Sequence, residues 1–119
     1  MAETRTYAGG CHCGKVRFQV TMELATAMEC NCSICSKSGT LLAFVPAEKF
    51  ELLSGDGDLI EYLFNKKHIH HLFCSTCGIR SFSRGLGRDG KEMRAINVRC
   101  LEGVDLGGLT IKQVDGRSL

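Results

Sequence analysis

The eight cysteines of this 119-residue chain constrain its fold more than any other feature of the sequence. Seven of them fall into three tight groups: Cys11 and Cys13; Cys30, Cys32 and Cys35; and Cys74 and Cys77. Clustered cysteines in a reducing compartment are more often metal ligands than disulfide partners, and neighbours two or three residues apart are poorly placed to bridge each other. The grouping therefore favours metal sites over the alternative, a secreted disulfide framework.

Length and charge limit what the chain can be. A chain of 119 residues has the length of one domain, so we expect residues 1–119 to form a single zinc-binding domain. The hydrophobic core of so short a chain is modest, and a bound metal would add to its stability. The net charge of +2 lacks the dense basic footprint of a dedicated nucleic-acid binder. No apolar stretch approaches the roughly 20 residues that span a bilayer, and the first residues lack an apolar signal region. We therefore expect a soluble, cytoplasmic protein with no membrane partner.

Seven segments predict β-strands. Residues 15–20 alternate polar and apolar side chains, which is the period-two pattern of a half-buried strand. Similar patterns recur at residues 41–45, 59–64, 69–73, 79–83, 93–98 and 109–114. Turn-forming residues separate these segments, including a charged turn at 65–67. Helical periodicity is limited to short turns around 33–37 and 46–50, so we expect an all-β or β-dominated fold.

The segment Gly85-Leu86-Gly87-Arg88-Asp89-Gly90 matches the dinucleotide-binding pattern G-x-G-x-x-G. That pattern requires a following helix whose N-terminus receives the pyrophosphate, whereas residues 93–98 predict a strand. We therefore interpret the segment as a hairpin loop.

The outer cysteine pairs share a local pattern, because Gly14 directly follows Cys13 and Gly78 directly follows Cys77. Metal-binding knuckles turn amide N–H groups toward thiolate sulfurs, and glycine permits the positive φ that such turns often need. We expect Cys11, Cys13, Cys74 and Cys77 to form one closed, structural zinc site. The alternative joins Cys11 and Cys13 to the middle group and leaves Cys74 and Cys77 as a redox pair.

The middle group places Cys30, Cys32 and Cys35 within six residues. Three protein ligands with an open fourth position are typical of a catalytic zinc. Two alternatives remain: Cys100 completes a second closed site, or the group is a metal-free redox or packing feature. Three thiolates give a zinc site a net charge of about −1, so the zinc lowers the pKa of bound water less than it would with neutral ligands. Such a sulfur-rich zinc is better suited to bind an incoming thiol than to activate water.

The three motifs together resemble the glutathione-dependent formaldehyde-activating enzyme family, which includes centromere protein V. The resemblance is carried by Gly10-Cys11-His12-Cys13-Gly14, Cys30-Asn31-Cys32-Ser33-Ile34-Cys35 and Phe73-Cys74-Ser75-Thr76-Cys77-Gly78, in this order and spacing. Asp115-Gly116-Arg117 resembles a further signature of that family. The resemblance implies a β-tent fold of packed antiparallel sheets with zinc knuckles.

The resemblance also implies roles for the cysteines. Cys11, Cys13, Cys74 and Cys77 would hold a structural zinc, and Cys30, Cys32 and Cys35 would hold a reactive one. The named enzyme of the family forms S-(hydroxymethyl)glutathione from formaldehyde and glutathione, so the implied partner is a small thiol, above all glutathione.

Several polar residues are weaker candidates for the site. His68, His70 and His71 precede the third motif, and a strand would place His71 on the opposite face from the other two. We nominate His71 for thiol recognition, with an exposed polar strand as the alternative. Asn97 and Arg99, two residues apart, are expected to share a strand face. Arg99 is the second nominee for thiol recognition, with a solvated strand face as the alternative.

Two further residues are given unreactive roles. His12, between two expected ligands, is expected to face solvent. Cys100 is expected to be a small buried apolar residue.

Two functions of different classes follow from these patterns. The first is a zinc-dependent carbon–sulfur lyase acting on a thiol–aldehyde adduct, with the thiol sulfur in the fourth position on zinc. The second is a non-catalytic zinc module that binds a protein or nucleic acid. An open three-cysteine site favours the enzyme, and a site closed by Cys100 favours the module.

Overall fold

The computed structural model of the chain describes residues 3–63, 69–87 and 89–116. The strands, numbered in chain order, are β1 (Thr4–Gly10), β2 (Arg17–Glu23), β3 (Thr26–Cys30), β4 (Leu42–Pro46), β5 (Phe50–Ser54), β6 (Leu59–Tyr62), β7 (His70–Cys74), β8 (Phe82–Leu86), β9 (Glu92–Asn97) and β10 (Thr110–Val114). One helical turn, α1, spans Cys35–Ser38, and short 3-10 turns span Ala47–Lys49, Asp56–Asp58, Val98–Cys100 and Leu106–Gly108. The prediction of a β-dominated fold is confirmed.

The strands form two sheets. One has the order β1-β2-β5, and the other has seven strands in the order β10-β3-β4-β9-β8-β7-β6. The expectation of purely antiparallel sheets needs one correction, because β10 runs parallel to β3 and pairs Val114 with Cys30. This pairing carries Asp115 and Gly116 to the middle cysteine group.

Alternation along the strands decides which side chains fill the core between the sheets. Phe18 and Val20 of β2 are fully buried, and Ala43 and Val45 of β4 are also buried. The ring centroids of Phe18 and Phe50 lie 5.3 Å apart, in a stacked arrangement that extends to a third ring from β8. Apolar burial of this kind is the main stabilising contribution to such a fold.

The same alternation turns other apolar side chains to the opposite face of the seven-stranded sheet. Leu42 and Phe44 of β4 point away from Ala43 and Val45, and Phe44 is 47% exposed. This face therefore presents apolar surface to solvent and forms the floor of a cleft described below.

Six of the seven predicted strand segments overlap observed strands over most of their length. The strand predicted at residues 79–83 differs from the structure, in which β8 begins at Phe82. The preceding residues complete the cysteine knuckle, in which the amide of Cys74 donates to the Ile79 carbonyl and the amide of Gly78 donates to the Cys74 carbonyl. Residue 64 and the predicted turn at 65–67 lie outside the described residues.

The glycine-rich segment is a hairpin, as predicted. Strands β8 and β9 pair antiparallel, with Gly85 opposite Met93. The amide of Gly87 donates to the Lys91 carbonyl at 2.8 Å, which closes the turn. Strand β9 follows the turn where a dinucleotide-binding fold has its helix, so the segment lacks the pyrophosphate site of that fold in its described residues. Arg88 lies outside the described residues.

Both predicted short turns exist, at α1 and at Ala47–Lys49. Within residues 3–63, 69–87 and 89–116, no helix has the length and apolar character needed to cross a bilayer.

Candidate metal centres

The sulfurs of Cys11, Cys13, Cys74 and Cys77 converge, and all four lie within 4.8 Å of one another. The Cys13 sulfur is 3.6 Å from the Cys11 sulfur and 3.6 Å from the Cys74 sulfur. Zinc–sulfur bonds of about 2.3 Å in a tetrahedron separate sulfurs by about 3.8 Å. The four thiols therefore fit a closed tetrathiolate site, and the fold brings together the four residues that the glycine pattern paired.

Backbone amides turn toward these sulfurs. The amide of Val16 donates to the Cys11 sulfur at 3.3 Å, and the amide of Thr76 donates to the Cys74 sulfur at 3.4 Å. Gly14 and Gly78 adopt φ values of 84° and 79°, in the left-handed region that favours glycine. The two knuckles are therefore shaped to hold thiolates, as the sequence pattern indicated.

The amides also affect the acidity of the thiols. Hydrogen bonds from the backbone of Cys13 and then of Ile79 lower the pKa of Cys77 to about 6. A thiol with this pKa is largely deprotonated at neutral pH, which is the state that binds zinc.

The second group contains Cys30, Cys32 and Cys35, whose sulfurs also lie within 4.8 Å of one another. Cys30 ends β3, Cys35 begins α1, and the amide of Cys32 donates to the Cys30 sulfur at 3.5 Å. Burial raises the pKa of the Cys32 thiol, but hydrogen bonds led by the Cys35 amide outweigh it, and the resulting pKa is below the ordinary value. Burial, together with the neighbouring Cys32 thiolate, raises the pKa of Cys35 to about 12. A bound metal cation would lower this pKa, because it stabilises the thiolate form of its ligand.

Cys100 does not join the trio. Among the described residues, the group within metal-binding distance contains Cys30, Cys32 and Cys35 alone. The amide nitrogen of Asn97 lies 3.6 Å from the Cys100 sulfur, which packs against the edge of the main core as a half-buried side chain. The described residues therefore leave the trio with three cysteine donors.

The C-terminal segment covers one side of the trio. The amide of Asn31 donates to the Val114 carbonyl at 3.1 Å, and its side-chain amide donates to Asp115 Oδ1 at 2.8 Å. Gly116 lies so close that an added Cβ would be 2.5 Å from the Cys30 sulfur. The Asp-Gly signature thus borders the ligand loop; Arg117 lies outside the described residues.

The trio opens into a cleft of about 1120 Å³ on the outer face of the seven-stranded sheet. Apolar side chains from five strands, and one directly before β7, line much of it: Met28, Leu42, Phe44, Ile69, Leu86, Met93, Ala95 and Val114. Three cations also line the cleft, Lys37, Arg80 and Arg84, and no Asp or Glu appears among its described lining residues. The cleft is therefore apolar on its floor and positive on its walls.

Arg80 is the functional candidate that sequence reasoning missed. It is half-buried and contacts two polar side chains, donating to His71 Nδ1 at 2.9 Å and to the Ser38 hydroxyl at 2.8 Å. Burial lowers the pKa of Arg80, while the Cys35 and Cys32 thiols act in the opposite direction. Its side chain lines the same cleft as the three cysteines. Only its position directly after the Cys74–Cys77 knuckle could have drawn attention to it.

His71 lines the same cleft, as nominated. It is only 6% exposed, so the alternative of an exposed polar strand is wrong for this residue. Burial, followed by the charges of Arg80 and His70, lowers the pKa of His71 to about 4. His70 instead contacts the carboxylate of Glu61 at 2.7 Å, and His68 lies outside the described residues.

The expectation that Asn97 and Arg99 share a strand face is wrong. Strand β9 ends at Asn97, whose side chain accepts a hydrogen bond from the amide of Arg99 and caps the turn Val98–Cys100. Arg99 lines a second cleft of about 640 Å³ and donates to the Gly39 carbonyl at 3.2 Å. Arg99 does not line the cleft into which the trio opens, so its role in thiol recognition stays a prediction. His12 is exposed, as expected.

The sequence profile of the glutathione-dependent formaldehyde-activating enzyme family matches residues 6–108, which include all eight cysteines. The chain belongs to this family. The fold is also similar to the crystal structure of a Rhodobacter sphaeroides protein, a structural-genomics target, with a TM-score of 0.74. That protein is 34% identical, over 88% of this chain and 99% of its own. Membership of the family agrees with two cysteine groups that can hold metal.

Proposed function

We propose that this chain is a zinc-dependent carbon–sulfur lyase that forms or cleaves the adduct of a thiol and an aldehyde. S-(hydroxymethyl)glutathione, the adduct of glutathione and formaldehyde, is the first candidate, because the family's description names both compounds. The observation that carries the proposal is a group of three cysteines open to a cleft with cationic walls. A cytoplasmic location would suit this activity, since thiols there are kept reduced.

The donor set fits two zinc ions with different tasks. Three or four thiols with amides directed at their sulfurs are soft ligands of the kind zinc prefers. The four-cysteine group would hold a structural zinc, and the trio of Cys30, Cys32 and Cys35 a reactive one. When bound to the trio, zinc would supply an open position that favours sulfur and lowers the pKa of a thiol there.

The residues of the chain would bind and orient the substrate. Lys37 and Arg80 place positive charge beside the trio, where they can pair with the carboxylates of a thiol such as glutathione. His71 accepts a hydrogen bond from Arg80 and so holds the guanidinium toward the cleft.

The reaction needs no oxidant or reductant. In the cleavage direction the carbon–sulfur bond breaks, and its electron pair remains on sulfur. The hydroxyl group of the adduct loses its proton as its carbon–oxygen bond becomes the carbonyl of the aldehyde. The proton leaves to solvent or to the thiolate, so the products are a thiol and an aldehyde.

The position of Cys100 favours this function over the zinc module that binds a protein or nucleic acid. That alternative expected Cys100 to close the second site, whereas its sulfur contacts the Asn97 side chain and belongs to neither cysteine group in the described chain. A variant with Cys100→Ser serves as the control, because it removes a thiol without removing a proposed ligand.

X-ray absorption at the zinc edge, with and without glutathione, tests the proposal together with turnover of S-(hydroxymethyl)glutathione. We expect one additional sulfur on the reactive zinc, in the wild type and in Cys100→Ser, and loss of this change in Cys32→Ser. Unchanged sulfur coordination at millimolar glutathione, with no turnover of the adduct, would refute the lyase and favour the binding module.

A further inference from the structure

The cleft beside the trio extends much farther than a one-carbon adduct requires. It crosses the outer face of the seven-stranded sheet from Val114 on β10 to His71 on β7. Neighbouring strands lie about 4.8 Å apart, so the floor from β3 to β8 spans about 14 Å. The volume of about 1120 Å³ exceeds the roughly 300 to 1000 Å³ of ordinary small-molecule sites. The carbon of formaldehyde reaches only the end nearest the trio.

The chemistry of the floor does not match a peptide thiol alone. Leu42 and Phe44 of β4 and Met93 and Ala95 of β9 are adjacent across the paired strands, with Phe44 opposite Ala95. An anionic tripeptide placed on this surface would lose hydrogen bonds to water without replacement. Its carboxylates match the cations at the wall, Lys37 and Arg80, and leave the floor for another group.

The exposed fractions of the floor residues show that the surface is accessible to a ligand. Phe44 is 47% exposed, Ile69 is 50% exposed and Leu86 is 70% exposed, and all three line this cleft. Apolar patches of this size, rimmed by charge and next to a reactive group, are features of ligand-binding grooves.

We propose that the adduct bound here carries an extended apolar group of several carbons from its aldehyde. The thiol part of the adduct lies against Lys37 and Arg80, its sulfur lies at the trio, and the apolar group lies across Leu42, Phe44 and Met93 toward Leu86. This inference rests on the proposed function and narrows its substrate class from formaldehyde adducts to those of apolar aldehydes. The lyase chemistry is unchanged, because the reacting carbon is the same carbonyl carbon.

Stable thioether analogues separate binding from turnover. Isothermal titration calorimetry of the zinc-loaded protein with S-methyl-, S-propyl- and S-hexylglutathione measures affinity along a series that differs only in apolar length. Each added methylene that is partly buried should lower Kd about two- to fourfold, so the hexyl compound should bind at least about 30-fold more tightly than the methyl compound. Equal affinity for the methyl and hexyl compounds would overturn the inference.

A matched pair of variants locates the contact. Leu86→Ser changes an exposed leucine that lines the cleft, and Leu53→Ser changes a 52% exposed leucine on β5 of the other sheet. We expect Leu86→Ser and Phe44→Ser to reduce the gain in affinity per methylene, whereas Leu53→Ser leaves it unchanged. Equal loss in Leu86→Ser and Leu53→Ser would also overturn the inference.

Turnover distinguishes this inference from the proposed function. If S-(hydroxymethyl)glutathione and the adducts of longer aldehydes are all unreactive, the lyase fails, although the chain-length dependence of binding can still be read. If the enzyme turns over the formaldehyde adduct, and kcat/KM does not rise from the glutathione adduct of propanal to that of octanal, the lyase stands and the apolar substrate class is wrong. If sedimentation shows a dimer that Leu86→Ser dissociates, and no thioether binds the dimer, a second copy of the chain covers the floor and the inference is also wrong.

Discussion

The contact between Gly116 and the Cys30 sulfur allows a sharp test of the three-cysteine site. A Cβ added at Gly116 would lie 2.5 Å from the Cys30 sulfur and 3.2 Å from Cys32 Cβ. Ordinary contacts begin at 3.4 Å, so the Gly116→Ala methyl and the sulfur must separate by about 0.9 Å to reach one. The backbone of Gly116 is not among the positive-φ glycines, so the effect of alanine there is steric.

The segment around Gly116 cannot simply swing away. Asn31, between Cys30 and Cys32, is hydrogen-bonded to the Val114 carbonyl and to the Asp115 carboxylate, so the loop and the C-terminal segment move together. The strain therefore falls on the sulfur position. Metal–ligand bond lengths stay within about 0.2 Å of their usual values, and the separation of 0.9 Å is several times larger. We expect Gly116→Ala to weaken zinc binding at the trio by about 10- to 100-fold.

Competition with a chromogenic chelator measures the more labile zinc equivalent, and circular dichroism reports the fold. Gly57→Ala is the control, because a Cβ there meets no heavy atom within 4 Å and its φ is not positive. We expect Gly116→Ala to lose one zinc at a lower chelator concentration, with the fold and the other zinc retained. A competition curve equal to those of Gly57→Ala and the wild type would refute the assignment of Cys30 as a ligand.

Three further predictions follow. Cys74→Ser should give unfolded or insoluble protein, because structural zinc contributes about 10 to 16 kcal/mol, comparable with a domain's whole stability; a soluble variant with wild-type Tm would contradict this. Cys32→Ser should lose one zinc equivalent by metal analysis while its circular dichroism matches that of the Cys100→Ser control; collapse of the fold would mean that the structural and reactive roles are wrongly divided. The pKa of His71 is lowered to about 4 in the folded chain, so between pH of about 6.5 and 4 the His71 ring is protonated in the unfolded chain alone. The free energy of unfolding should therefore decrease as the pH is lowered through that window. NMR should find the His71 ring neutral at pH 5.5, and a midpoint near 6.5 would contradict its burial.

Local features of the sequence were sufficient to predict the ligand chemistry. Each outer cysteine pair is directly followed by a glycine, Gly14 or Gly78, and forms a knuckle within a single turn. The geometry of such a turn depends on the local backbone alone. Strands with regular alternation, such as β2 and β4, were predicted for the same reason. Strands β1, β3 and β5 were not predicted, because their apolar alternation is weak, and the residues of β1 are mostly exposed.

The arrangement of distant segments was decided by the tertiary structure. Arg80 lines the cleft of the trio because it lies between β7 and β8, which belong to the same sheet as β3, whereas Arg99 leaves the sheet at the turn after β9. The parallel pairing of β10 with β3 brings Gly116 against Cys30, across more than eighty residues of chain. Such contacts depend on strand order and register, which arise from burial summed over the whole core and have no signature in a short sequence window. The sequence by itself thus determined which atoms can hold metal, and the tertiary structure decided which side chains face them.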